Sequence, residues 1–117
     1  MIAVKNLTKK YEDTVAVNGI SFEVDEGEVF GLLGPNGAGK TTTVEILEGL
    51  RKPSSGEATI NNFDVSRETK KVKSIIGVQL QSVNFFEMLS LYEIVELFAN
   101  LYSSKVDPED ILNRVGL

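Results

Sequence analysis

The chain has 117 residues, 42% of them hydrophobic and 25% charged, with a net charge of −5 and a sequence pI near 4.7. No apolar run is long enough to cross a bilayer as a helix, and the acidic balance speaks against a broad nucleic-acid-binding face. Cysteine and histidine are both absent, which excludes disulfides, zinc-type ligand sets and imidazole chemistry within these residues. That composition suits a reducing cytoplasm, and the opening Met1 to Asn6 lacks the basic-then-apolar order of a signal peptide.

Ile2 to Leu7 alternates apolar and polar positions and predicts a half-buried strand. Val15 to Val24 repeats the pattern through Val17, Ile20 and Phe22, with Asn18-Gly19 as a bend or bulge. Together they predict an antiparallel layer at the N-terminus. Asp25 to Glu28 reads as a turn into Val29-Phe30-Gly31-Leu32-Leu33, a near-continuous apolar run expected to form a strand buried on both faces.

Gly34-Pro35-Asn36-Gly37-Ala38-Gly39-Lys40-Thr41 follows and fits G-x-x-x-x-G-K-[ST], the phosphate-binding loop pattern. Its residue types answer a chemical need. A triphosphate requires several donors close together, and main-chain N–H groups reach it only where side chains are missing. Lys40 adds a mobile point charge, and Thr41 a hydroxyl able to sit on Mg²⁺. Thr41 to Leu50 carries apolar residues at Val44, Ile46, Leu47 and Leu50, close to helical spacing. Strand, glycine loop and helix stand in the order that puts free N–H groups and partial positive charge against an anion.

Lys52 to Gly56 closes that helix with breaker residues. Glu57 to Ile60 reads as a short strand and Asn61-Asn62 as a turn. Ser66 to Ser74 predicts a short exposed helix, and Ile75 to Leu80 a second apolar strand. Ser90 and Glu93 form a capping-box pattern, followed by an apolar stripe of Leu91, Ile94, Val95, Phe98 and Leu101. Asp107 reads as the N-cap of a last helix with Pro108 in its first turn. The segment Ser82 to Leu89 is unusually apolar for a connection. It reads either as an inward-packed loop or as a contact surface with Phe85, Phe86 and Met88 as anchors.

Several stretches line up around the loop: Asn6-Leu7-Thr8-Lys9-Lys10-Tyr11, Ala16 to Phe22, Gly34 to Thr42, Pro53 to Glu57, and Ile76 to Gln81. Their order and spacing resembles the nucleotide-binding domain of ABC transporters over essentially the whole chain. The resemblance implies an α/β fold, a P-loop NTPase core with a parallel sheet and an N-terminal antiparallel β layer. It divides the chain into an antiparallel β region (1–27), the P-loop core (28–81) and the start of a helical subdomain (82–117).

The same resemblance implies ATP and Mg²⁺ as cofactors. Tyr11 would stack on adenine, its other reading being an ordinary tyrosine beside a strand. Val17 would lie against the base or sugar. Asn36, Gly37, Ala38 and Gly39 would offer main-chain donors. Lys40 would bridge the β and γ phosphates, Thr41 would ligate Mg²⁺, and Thr42 would donate to the α phosphate. Gln81 would contact Mg²⁺ or the attacking water, so that Lys40 and Gln81 carry the catalytic roles. Gln79 competes for that last position and is less favoured because it lies within the apolar run.

The implied function is an ATPase subunit that couples ATP hydrolysis to transport, most like those of multidrug or ABC-2 type exporters. Its implied partners are a membrane-spanning permease, met through Ser82–Leu89, and a second ATP-binding domain. It would sit on the cytoplasmic face of the membrane through the permease, with no nucleic-acid partner. Alternatives are a family ATPase acting on ribosomes or nucleic acid, a different P-loop enzyme such as a small kinase, and a binding module without catalysis. The family's signature motif, the Asp-Glu pair closing a later apolar strand and the switch histidine are not in these residues. The chain therefore reads as the leading portion of a longer domain, with negligible hydrolysis expected of it alone.

Overall fold

The computed structural model describes residues 1–79, 86 and 88–117. Two long strands open the chain, β1 (Ile2–Tyr11) and β2 (Thr14–Val24). The hairpin register runs from Tyr11 opposite Thr14 to Ile2 opposite Val24. It slips between Val4 and Leu7 and again after Leu7, opposite the Asn18-Gly19 step. There the Gly19 N–H donates to Thr8 Oγ1 at 3.1 Å, so the expected bulge is present and is held by a side chain.

β3 (Ser55–Ile60) pairs with the other edge of β1, and β4 (Phe63–Asp64) pairs with β3, giving the order β2-β1-β3-β4, antiparallel throughout. The sheet therefore draws strands from both sides of residue 27. Asn61 (φ 49°) and Asn62 (φ 65°) make the β3–β4 turn. Asparagine tolerates left-handed φ, and a two-residue loop needs it to match the strand twist. Gly56 (φ 84°) lies against Asn6 and Leu7, where a β-carbon would overlap their backbone. That close approach sits at the register slip between β1 and β3.

The helix α1 (Lys40–Leu47) covers the sheet. Its Ile46 packs into a core with Val4, Leu7, Ala58, Val65 and Val72. Leu7, Ile46 and Val72 are fully buried, each worth roughly 1.5–3 kcal/mol of apolar transfer. α2 (Thr69–Ile75) begins three residues later than the sequence predicts. The Asp64 carboxylate accepts from the Ser66 and Arg67 N–H groups at 2.8 and 2.9 Å. This local bonding offers those amides an alternative to the helix.

The two segments expected as parallel strands behave differently. Residues 28–33 form no ladder, and Val29 and Leu33 are 99% and 92% exposed. Leu32 is half-buried, and the Phe30 ring stacks on Phe22 with centroids 5.0 Å apart. Ile75 closes α2, and 76–79 carry no ladder either. An apolar run records the capacity to be buried on two faces. A strand also needs neighbouring backbones to pair with, and among the described residues these segments have none.

Met1–Val78 form one unit and Gln79–Leu117 another. In the second, α3 (Leu91–Leu101) and α4 (Pro108–Arg114) lie against each other. Ser90 and Glu93 form the expected capping box, with Ser90 N–H donating to Glu93 Oε2 at 2.8 Å and Glu93 N–H to Ser90 Oγ at 3.3 Å. Asp107 Oδ1 accepts from the Glu109 N–H at 3.0 Å. The apolar stripe on α3 includes no buried residue, and Leu91, Phe98 and Leu101 are exposed.

Candidate functional site

The glycine loop passes into α1 through Gly39, whose left-handed φ of 83° makes it the N-cap. A β-carbon there would overlap the Ala16 carbonyl oxygen and press on Val17 Cγ2 at 3.3 Å. Only glycine lets the loop lie this close to β2. Thr43 pins the junction from inside. It is buried, and both its N–H and its Oγ1 donate to the Gly39 carbonyl at 2.9 Å. Three consecutive threonines mark this stretch in the sequence, and burial falls on the third.

Among the described residues, no side chain caps the N-terminus of α1. The first turn of a helix leaves its N–H groups without intrahelical partners and carries partial positive charge. Here those groups stand beside a loop that has few side chains to block them. Lys40 folds back over the loop, its Nζ donating to the Gly34 carbonyl at 2.5 Å and the Pro35 carbonyl at 2.7 Å. Ala38 N–H closes the turn onto Pro35 O at 3.2 Å. The ammonium is thus held at the mouth of the loop by the loop's own carbonyls.

A cavity of about 400 Å³ opens between β2 and the loop. It brings together Val17, Gly37, Ala38 and Lys40 from the sequence-predicted set. Ala16, Asn18, Leu32 and Thr43 also line it, none of them a residue for which sequence alone predicts a site role. Asn36 and Thr41 are exposed beside it, and Thr42 is half-buried. Gln81 lies outside the described residues, as does most of Ser82–Leu89; within that segment Phe86, Met88 and Leu89 are exposed. Gln79 is exposed. A hollow of about 480 Å³ at the start of α4, lined by Lys105, Asp107, Asp110 and Arg114, contains none of the predicted site residues.

Tyr11 stands at the end of β1, 38% exposed, and does not line the cavity. Lys9 Nζ lies 5.1 Å and Arg51 Cζ 5.8 Å from its ring centroid, both within cation–π range. Arg51 Nε donates to Glu45 Oε2 in a close ion pair. That hydrogen bond, then the charge of Glu45 and more weakly Tyr11, raises the guanidinium pKa further above its ordinary value.

The ABC transporter family profile matches residues 17–117. The chain belongs to the ABC transporter family. It is 36% identical over its full length to the linearmycin resistance ATP-binding protein LnrL of Bacillus subtilis (strain 168), covering 39% of that protein. It is 39% identical over its full length to the fluoroquinolones export ATP-binding protein Rv2688c of Mycobacterium tuberculosis (strain ATCC 25618 / H37Rv), covering 40% of it. Among solved structures, the dimeric, post-hydrolysis ATP-binding cassette MJ0796 bound to ADP and Pi superposes with a TM-score of 0.73 at 31% identity. That match takes in 87% of this chain and 48% of the other. The chain thus spans about two fifths of the length of these two curated relatives, and its fold is that of the P-loop ATP-binding cassette.

This ABC cassette sequence also places its residues in a way that fits a nucleotide. Gly39 sits where a β-carbon has no room, the helix end lacks a side-chain cap, and a lysine ammonium is fixed at the loop mouth. Magnesium fits the same set, because it is commonly held by one or two protein groups together with phosphate oxygens, and Thr41 stands exposed next to Lys40.

Proposed function

We propose that these residues bind ATP with Mg²⁺ and that the whole protein couples ATP hydrolysis to export of a substrate across a membrane. The observation that carries this reading is the uncapped N-terminus of α1 behind a glycine loop, with Lys40 bonded across it. Main-chain N–H groups of 36–39 hold the phosphates. Lys40 neutralises the β and γ phosphates, Thr42 donates to the α phosphate, and Thr41 ligates Mg²⁺, which supplies charge neutralisation to the departing phosphates. Tyr11 stacks on adenine, with Val17 against the base or sugar. Gln81 orients water or Mg²⁺.

In this proposal residues 1–27 form the antiparallel β region, 28–81 the P-loop core and 82–117 the start of the helical subdomain. The segment Ser82–Leu89 meets a membrane permease, and a second ATP-binding domain completes the assembly on the cytoplasmic face. The names of the relatives, which include resistance and export ATP-binding proteins, support this direction. Hydrolysis also needs groups that polarise water. With no histidine in these residues and no Asp-Glu pair after the glycine loop, the 117 residues alone are expected to bind without turnover.

Calorimetric titration of the full-length protein with Mg²⁺-ATP tests the reading. Saturable binding that Lys40→Ala weakens by about tenfold or more supports it. Absence of binding by the unsubstituted protein overturns it.

A further inference from the structure

Tyr11 ends β1 beside a two-residue turn, where an aromatic side chain would ordinarily rotate freely. Instead two cations lie near its ring, Lys9 Nζ at 5.1 Å and Arg51 Cζ at 5.8 Å from the centroid. Lys9 is tied down by donating from Nζ to the Lys52 carbonyl at 2.9 Å. Arg51 is fixed at both ends by one residue of α1. Its N–H donates to the Glu45 carbonyl at 3.2 Å, and its guanidinium pairs with the Glu45 carboxylate. Glu45 therefore connects the helix whose N-terminus faces the glycine loop to the ring at the end of β1.

We propose that Arg51, held by Glu45, is a positioning residue that sets the Tyr11 ring for the base of a purine nucleotide. This rests on the reading that Tyr11 stacks on adenine. The charge over the ring restricts its rotation before the base arrives, so less freedom is lost on binding. The effect belongs to the base and is absent for a ligand that has phosphates alone.

The test compares Mg²⁺-ATP with Mg²⁺-tripolyphosphate by calorimetry on the full-length protein. Arg51→Ala is expected to weaken ATP about two- to fivefold, the range of an exposed cation–π contact, and to leave tripolyphosphate unchanged. Arg51→Lys, which keeps the charge, should recover part of the loss. In a Tyr11→Ala background, Arg51→Ala should add nothing further. Should Tyr11→Ala lower the ATP preference while Arg51→Ala leaves it intact, or weakens both ligands alike, the positioning role is overturned and stacking survives. If Tyr11→Ala itself leaves the preference intact, stacking fails and the proposal with it. Glu45→Gln, which retains the side-chain shape, carries the same comparison if melting shows Arg51→Ala to be unfolded.

Discussion

Gly39 and the carbonyl oxygen of Ala16 approach so closely that no β-carbon fits between them. The contact joins the end of the glycine loop to the start of β2 and fixes where α1 begins. Gly39→Ala must both adopt φ near 83° and displace a strand backbone. Left-handed strain alone costs a non-glycine residue about 1–2 kcal/mol. The substitution is expected to lower the unfolding free energy by at least that amount and to weaken triphosphate binding about tenfold or more. Urea denaturation and calorimetry on the same preparation read both effects.

Lys40 is expected to act on affinity far more than on folding. Its two bonds are to carbonyls of its own loop, so Lys40→Met should change the melting temperature little while ATP binding falls about tenfold or more. Lys40→Arg should not rescue it, because a planar fork does not reproduce a compact ammonium in that turn. Near-native ATP affinity in Lys40→Arg would show that charge alone suffices.

Ile46 lies near the C-terminal end of α1 on its buried side and contributes to the core with Leu7 and Val72. Ile46→Ala should cost about 2–5 kcal/mol and Ile46→Val about 0.5–1.5 kcal/mol. Chemical denaturation gives both values, and equal small losses would mean that the site collapses around the cavity.

Acid should loosen α3 through its cap. Hydrogen bonds from the Ser90 hydroxyl and N–H hold the Glu93 carboxyl below its ordinary range. A carboxylate whose folded pKa is depressed adds stability above its unfolded pKa and loses it as pH falls through the folded value. The stabilisation is therefore present at neutral pH, begins to fall near the ordinary Glu value of about 4.3, and is lost as pH drops through the lowered folded value. Ser90→Ala should raise the Glu93 pKa toward the ordinary range and cost about 1 kcal/mol of α3 stability at neutral pH. Carboxyl NMR titration checks the first, and helicity measured against pH the second.

Much of the chain was legible because its signals are local. Ser90 and Glu93 sit three apart with a stripe behind them, and the capping box forms. Asn61-Asn62 accepts left-handed φ, and a tight turn forms between β3 and β4. The glycine-lysine pattern at 34–41 predicts a phosphate loop because spacing and residue type together dictate which backbone groups are bare. The family follows from that loop and the stretches around it.

Tertiary structure decided what depends on partners distant in sequence. Val29 and Leu33 read as a buried strand, yet a strand is made by the backbones beside it, and among the described residues none pairs with them. The late start of α2 depended on the carboxylate of Asp64 reaching two amides. Tyr11 carried a pattern position, while its contact with Arg51 depends on Glu45 of α1 holding the chain that follows the helix. Local chemistry is written in neighbouring residues. Burial, pairing and the bracing of one side chain by another arise only when the chain folds back on itself.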